Sequence, residues 1–112
     1  MKKVIKGGKV ATATDVFEAD LLIEDGVITQ IAKKIDVADA EVIDASGKYV
    51  MPGGIDPHTH LDMPFNNTVT DDDWESGTIA AAFGGTTTIL DFCLSAGETK
   101  LADAVAKWHT KA

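Results

Sequence analysis

The sequence predicts an α/β chain in two parts, and three observations carry that prediction. Short, strand-like segments fill the first fifty or so residues, and the pattern changes to strand, helix, strand, helix near Pro52. The run Pro52-Gly53-Gly54-Ile55-Asp56-Pro57-His58-Thr59-His60 marks the change. Residues 1–51 are therefore expected to form a β-rich portion, and residues 52–112 the start of a parallel β/α portion.

The first part opens with Val4-Ile5-Lys6, which runs into Gly7-Gly8, and Lys9-Val10-Ala11-Thr12 follows. A strand is expected over residues 17–24, ending at Asp25-Gly26, a hairpin turn because both central residues tolerate positive φ. Val27-Ile28-Thr29-Gln30-Ile31 is the returning strand. Two further short strands are expected at Glu41-Val42-Ile43 and Lys48-Tyr49-Val50-Met51. About five strands in this span predict an antiparallel β domain.

In the second part the strand carrying the histidines comes first. Thr70 is expected to cap a helix whose first turn holds Asp71, Asp72 and Asp73, where carboxylates favour the positive end of the helix dipole. Its body, residues 74–83, should end at Gly84-Gly85, glycines suited to the left-handed residue of a C-terminal cap. Thr86-Thr87-Thr88-Ile89-Leu90-Asp91-Phe92 is β-branched and apolar, the mark of a buried parallel strand. A last helix from Thr99 places Leu101, Val105 and Trp108 on one apolar stripe.

Composition narrows the class. The chain has 112 residues, 45% hydrophobic and 25% charged, an ordinary globular balance. Its net charge of −8 repels phosphate backbones and makes nucleic acid an unfavourable partner. The single cysteine, Cys93, excludes an internal disulfide and a cysteine-based zinc finger and fits a cytoplasmic setting. Neither a signal-peptide run nor an 18-residue apolar stretch is present, so no membrane segment is expected.

The chemistry gathers at the histidines. On a strand, alternate side chains share a face, so His58 and His60 project together from Cα atoms roughly 6.5 Å apart. Two neutral imidazoles so placed can meet one metal ion at about 2.0–2.1 Å each. Asp56 either orients a metal-binding histidine or only shapes the turn at Pro57. Other residues read as structural: His109 as a cation in the last turn of a helix, and residues 71–73 as a helix start rather than a calcium loop. Gly84-Gly85 lacks the Gly-Lys-Ser/Thr of a phosphate loop.

The strand-rich beginning, the Pro-Gly-Gly-Ile-Asp-Pro-His-Thr-His run and the later Ala-Ala-Ala-Phe-Gly-Gly-Thr-Thr-Thr-Ile-Leu-Asp-Phe run together resemble the amidohydrolase superfamily. More narrowly they resemble its bacterial D-hydantoinase and dihydropyrimidinase branch, along the whole chain. The resemblance implies a two-domain enzyme: a β-sandwich built from both chain ends and a (β/α)₈ barrel. Residues 1–51 would then be the N-terminal portion of the sandwich, and residues 52–112 the first two β-α units of the barrel. A complete barrel needs eight units and about 250 residues, so the chain reads as the N-terminal part of a longer enzyme and is expected to be inactive alone.

The resemblance also implies a reaction and its cofactors. The parent would be a metal-dependent cyclic amidase that hydrolyses the ring amide of hydantoins or dihydropyrimidines to N-carbamoyl amino acids, and a homotetramer. His58 and His60 would bind the more buried of two divalent metals, zinc first, with manganese or cobalt as alternatives. A carbamylated lysine would bridge the metals, and further ligands and a catalytic aspartate would complete the site; no catalytic residue is expected within this chain. Met63, Phe65, Cys93 and Leu94 are the substrate-pocket candidates on loops after the two strands. Dihydroorotase and allantoinase are the rivals, along with a metal-free scaffold relative. The first should hold a substrate carboxylate with an arginine after the histidine pair, and this chain has no arginine. Retention of both histidines argues for the catalytic branch.

Overall fold

The computed structural model describes residues 1–95 and 100–112. It is a mixed α/β structure built mostly of strands and falls into two compact units, Met1–Pro52 and Gly53–Ala112.

The first unit is one five-stranded sheet. Strands β1 (Lys2–Ala11), β2 (Val16–Glu24) and β3 (Val27–Ala32) are followed by β4 (Glu41–Asp44) and β5 (Tyr49–Val50). β1 lies between β2 and β4, β3 pairs the outer edge of β2, and β5 pairs β1 beyond β4. The expected antiparallel domain is therefore corrected to a mixed sheet: β2 and β3 run antiparallel, but β4 and β5 run parallel to β1. Strand-by-strand patterning reports which residues alternate and carries no information about the direction of the partner.

β1 runs through Gly7-Gly8 as a bulge: Ile5 faces Leu21 and Gly8 faces Ala19, one extra residue on β1. A bulge inverts the alternation beyond it. Val4 thus packs with Leu22 and Ile35 on one face, whereas Val10 joins Ala19 and Leu21 on the other, alongside Ile5 and Val50. The buried Asp20 satisfies the bulge, accepting hydrogen bonds from Gly7 N (2.9 Å) and Ile35 N (3.0 Å). Those two bonds hold its carboxyl below the usual carboxylate range. The hairpin at Asp25-Gly26 is as expected, with both residues at positive φ.

In the second unit β6 (Gly54–Thr59) and β9 (Thr86–Asp91) pair in parallel, joined by α1 (Trp74–Phe83). Between β6 and α1 lies a short hairpin, β7 (Pro64–Phe65) and β8 (Thr68–Val69), turning on Asn66 and Asn67, both at positive φ. It had no strand signature beyond that Asn-Asn pair. The α1 cap is Asp73 rather than Thr70: its side chain accepts from Ser76 N at 2.8 Å and the Ser76 hydroxyl answers to Asp73 N, a capping box. Asp71 and Asp72 accordingly precede the helix. The helix ends as expected at Gly84, with Gly85 at φ 84°.

β9 is a parallel strand as expected but not a fully buried one, since Leu90 remains 52% exposed. Helix α2 spans Leu101–His109; the expected start at Thr99 lies outside the described residues. Its buried positions are Ala104 and Trp108, while Leu101 and Val105 of the expected stripe are exposed. Among the described residues no helix is long and apolar enough to cross a membrane.

Candidate metal centre

The histidine pair sits where β6 stops being regular. Asp56 pairs with Ile89, but Thr59 pairs with Asp91, so β6 carries one extra residue around Pro57 and His58. Proline has no N–H to give the ladder, and the His58 N–H turns instead to Asp56 Oδ1 at 3.1 Å. Asp56 thus shapes the backbone under His58, and that is where the structure places it. A bulge re-aims the side chain it carries. The two rings converge: His58 Nε2 and His60 Nε2 are 3.2 Å apart, with ring centroids 5.0 Å apart and planes at 72°.

That spacing fits a shared ion. Two nitrogens about 2.0–2.1 Å from one metal at a tetrahedral angle stand about 3.3–3.4 Å from each other. Among the described residues no third histidine, cysteine or carboxylate joins them in a cluster, so the described residues offer two candidate ligands of the four a tetrahedral ion takes. His60 Nδ1 is buried and has no hydrogen-bond partner among the described residues. In metal sites that second ring nitrogen is the one that takes an orienting acceptor.

Two residues missed by sequence reasoning frame the pair. Phe92, directly after β9, stacks on His58 at 4.3 Å with planes 22° apart and lies 5.6 Å from His60. Asp91 accepts from Thr59 Oγ1, Leu61 N and Trp108 Nε1. The only sequence signal was an Asp-Phe closing an apolar strand, which says nothing of three donors drawn from separate elements.

The substrate-pocket candidates are spread out. Cys93 is half-buried and lines a cavity of about 200 Å³ with Trp74, Asp91, Val105 and Trp108. Leu94 lines another of about 370 Å³ with Pro64, Ser95, Lys107 and Trp108. Neither cavity includes Met63, Phe65, His58 or His60. Phe65 is 60% exposed on the hairpin, and Met63 fixes the base of the same loop, its N–H bonded to Thr70 Oγ1 at 2.9 Å. Asp62, at φ 46°, turns the chain after the pair, with its carboxylate 3.1 Å from Lys111 Nζ.

A paired imidazole site on a strand of a parallel β-α-β unit defines a class, and comparison with known proteins names it. Residues 41–110 match the amidohydrolase family, and the chain belongs to that family. It is 65% identical over 112 residues to the D-hydantoinase of Geobacillus stearothermophilus, covering 100% of this chain and 24% of that one. A crystal structure of D-hydantoinase superposes with a TM-score of 0.97 at 62% identity, covering 100% of this chain and 24% of the other. The dihydropyrimidinase of Brevibacillus agri gives 0.97 at 56% identity with the same coverage. The chain thus spans about a quarter of the length of these relatives.

Proposed function

We propose that this chain supplies the metal-gathering part of a cyclic amidase of the hydantoinase and dihydropyrimidinase type. In the complete enzyme it would open the ring amide of hydantoins or dihydropyrimidines to N-carbamoyl amino acids. The observation that carries the reading is the 3.2 Å approach of His58 Nε2 and His60 Nε2 in a chain 65% identical to a D-hydantoinase.

In this reading residues 1–51 are part of a β-sandwich and residues 52–112 begin a (β/α)₈ barrel. The histidines then lie at a strand end on the face where barrel enzymes keep their chemistry. His58 and His60 hold one of two divalent ions; zinc suits nitrogen ligands, with manganese and cobalt as alternatives. A carbamylated lysine, the other ligands and the proton-transferring aspartate would come from the rest of the complete enzyme. A divalent ion held there would lower the pKa of a water near it and polarise the ring carbonyl.

This chain's own residues bind and orient. His58 and His60 present their Nε2 atoms to the ion, Asp56 fixes the His58 backbone, and Phe92 packs against the His58 ring. Met63, Phe65, Cys93 and Leu94 are proposed to meet the ring substituent and exclude water from it, small-molecule pockets being mostly apolar. The assembled enzyme is proposed to be a cytoplasmic homotetramer.

The test joins this segment to the remaining three quarters of the Geobacillus relative and supplies dihydrouracil and 5-substituted hydantoins. Release of the N-carbamoyl product, lost on chelation and restored by zinc, is expected. Metal-loaded protein that opens neither ring would remove the reading.

A further inference from the structure

Asp91 closes β9 with its carboxylate shared among three donors. Oδ1 accepts from Thr59 Oγ1 at 2.8 Å and from the Leu61 backbone N–H at 2.8 Å, and Oδ2 accepts from Trp108 Nε1 at 2.6 Å. Thr59 and Leu61 are the residues on either side of His60. One carboxylate oxygen therefore grips the chain before and after that histidine. It does so just past the register slip of β6, at the last ladder position, where the Thr59 carbonyl also accepts from Phe92 N at 3.0 Å. Hydrogen bonds to a charged acceptor are roughly twice as strong as neutral ones, which suits a single group to the task. On the other side, the bond to Trp108 anchors the carboxylate to the buried face of α2.

We propose that Asp91 is a positioning residue for the histidine pair: it holds the backbone on both sides of His60 so that Nε2 stays within reach of the ion His58 also binds. The proposal rests on the metal reading above. An acceptor-only group is required here. Asparagine has nearly the same shape, but whichever way its amide turns, its NH₂ meets at least one of the three N–H or O–H donors.

The test titrates the full chain with zinc alone and follows the imidazole NMR signals, with His109 as an internal reference. In the unaltered chain the His58 and His60 signals should respond together, at one midpoint. Asp91→Asn should move that midpoint roughly tenfold higher, the usual effect of removing a group that orients a metal ligand. Thr59→Val should move it the same way by less, and Thr59→Ser, which keeps the hydroxyl, should restore it. A latch that served stability alone would lower the unfolding temperature and leave the midpoint unmoved. Identical midpoints in the unaltered chain, Asp91→Asn and Thr59→Val therefore overturn the positioning role, whatever the melting temperatures do. Should Asp91→Asn not fold, the Thr59→Val and Thr59→Ser pair decides by the same comparison. No joint response in the unaltered chain, or an unchanged one in His58→Ala, would instead overturn the metal reading and the positioning role with it.

Discussion

The ring of Phe92 lies on the imidazole of His58, centroids 4.3 Å apart and planes within 22°. A residue that leaves β9 thereby limits the rotation of a ring carried by β6. Stacked aromatic pairs contribute about 0.5–1.5 kcal/mol beyond the area they bury. Phe92→Ala should therefore weaken cobalt binding, by at most roughly twelvefold, read by visible absorption during titration. Unchanged affinity would make the stacking incidental.

Phe65 sits on the hairpin after the histidine pair, 60% exposed. In the joined enzyme, Phe65→Ala should change the ratio of rates on hydantoins with large and small 5-substituents more than the rate on unsubstituted hydantoin. One lost apolar contact is worth about 1–3 kcal/mol of discrimination. A uniform effect across all substrates would put Phe65 outside the pocket.

Gly53 faces Thr87 at the start of the β6–β9 pair. A Cβ there would meet Thr87 Oγ1 at 2.0 Å, Cγ2 at 2.4 Å and Cβ at 2.7 Å. Threonine is stiff about χ1, and its Cβ cannot withdraw without its backbone. Gly53→Ala should destabilise the fold by about 1–3 kcal/mol, seen as a lower midpoint in thermal unfolding. An equal or higher midpoint would show that the strands part at little cost.

Asp20 ties the β1 bulge to the connection between β3 and β4. Its folded pKa is lowered, chiefly by the Gly7 and Ile35 N–H groups, so the unfolded chain binds the proton more readily. The stability it contributes is complete above the unfolded value of about 3.9 and is lost as pH falls through the lower folded value. Asp20→Asn leaves a buried N–H facing a donor, costs about 1–3 kcal/mol and should flatten the acid limb of the stability curve. Parallel acid limbs in the two proteins would assign that pH dependence to other carboxylates.

Much of this fold was legible because it is written locally. Asp25-Gly26 needs two positive φ angles, Gly84-Gly85 ends a helix, and the β-branched run at Thr86 can only extend. Pairing is not local. Nothing in Glu41-Val42-Ile43 states that it runs parallel to β1, and Gly7-Gly8 looks the same as a turn or as a bulge that Asp20 completes. Asp71, Asp72 and Asp73 are equally good caps, and only the answering Ser76 selects Asp73. At the site, the His-x-His spacing was visible, but the slip in β6 that aims the rings depends on β9. The same holds for Asp91, whose three donors come from a strand, a loop and a helix.

The most direct measurement is metal content by elemental analysis of the joined enzyme with His58→Ala, His60→Ala and His109→Ala. The first two should lose at least one equivalent of divalent ion per chain, and ring opening should fall by several orders of magnitude, as expected when a ligand of a catalytic ion is removed. His109→Ala, altered in the last turn of α2, should keep both. Full metal and near-normal turnover in either His58→Ala or His60→Ala would contradict the assignment of the pair as ligands.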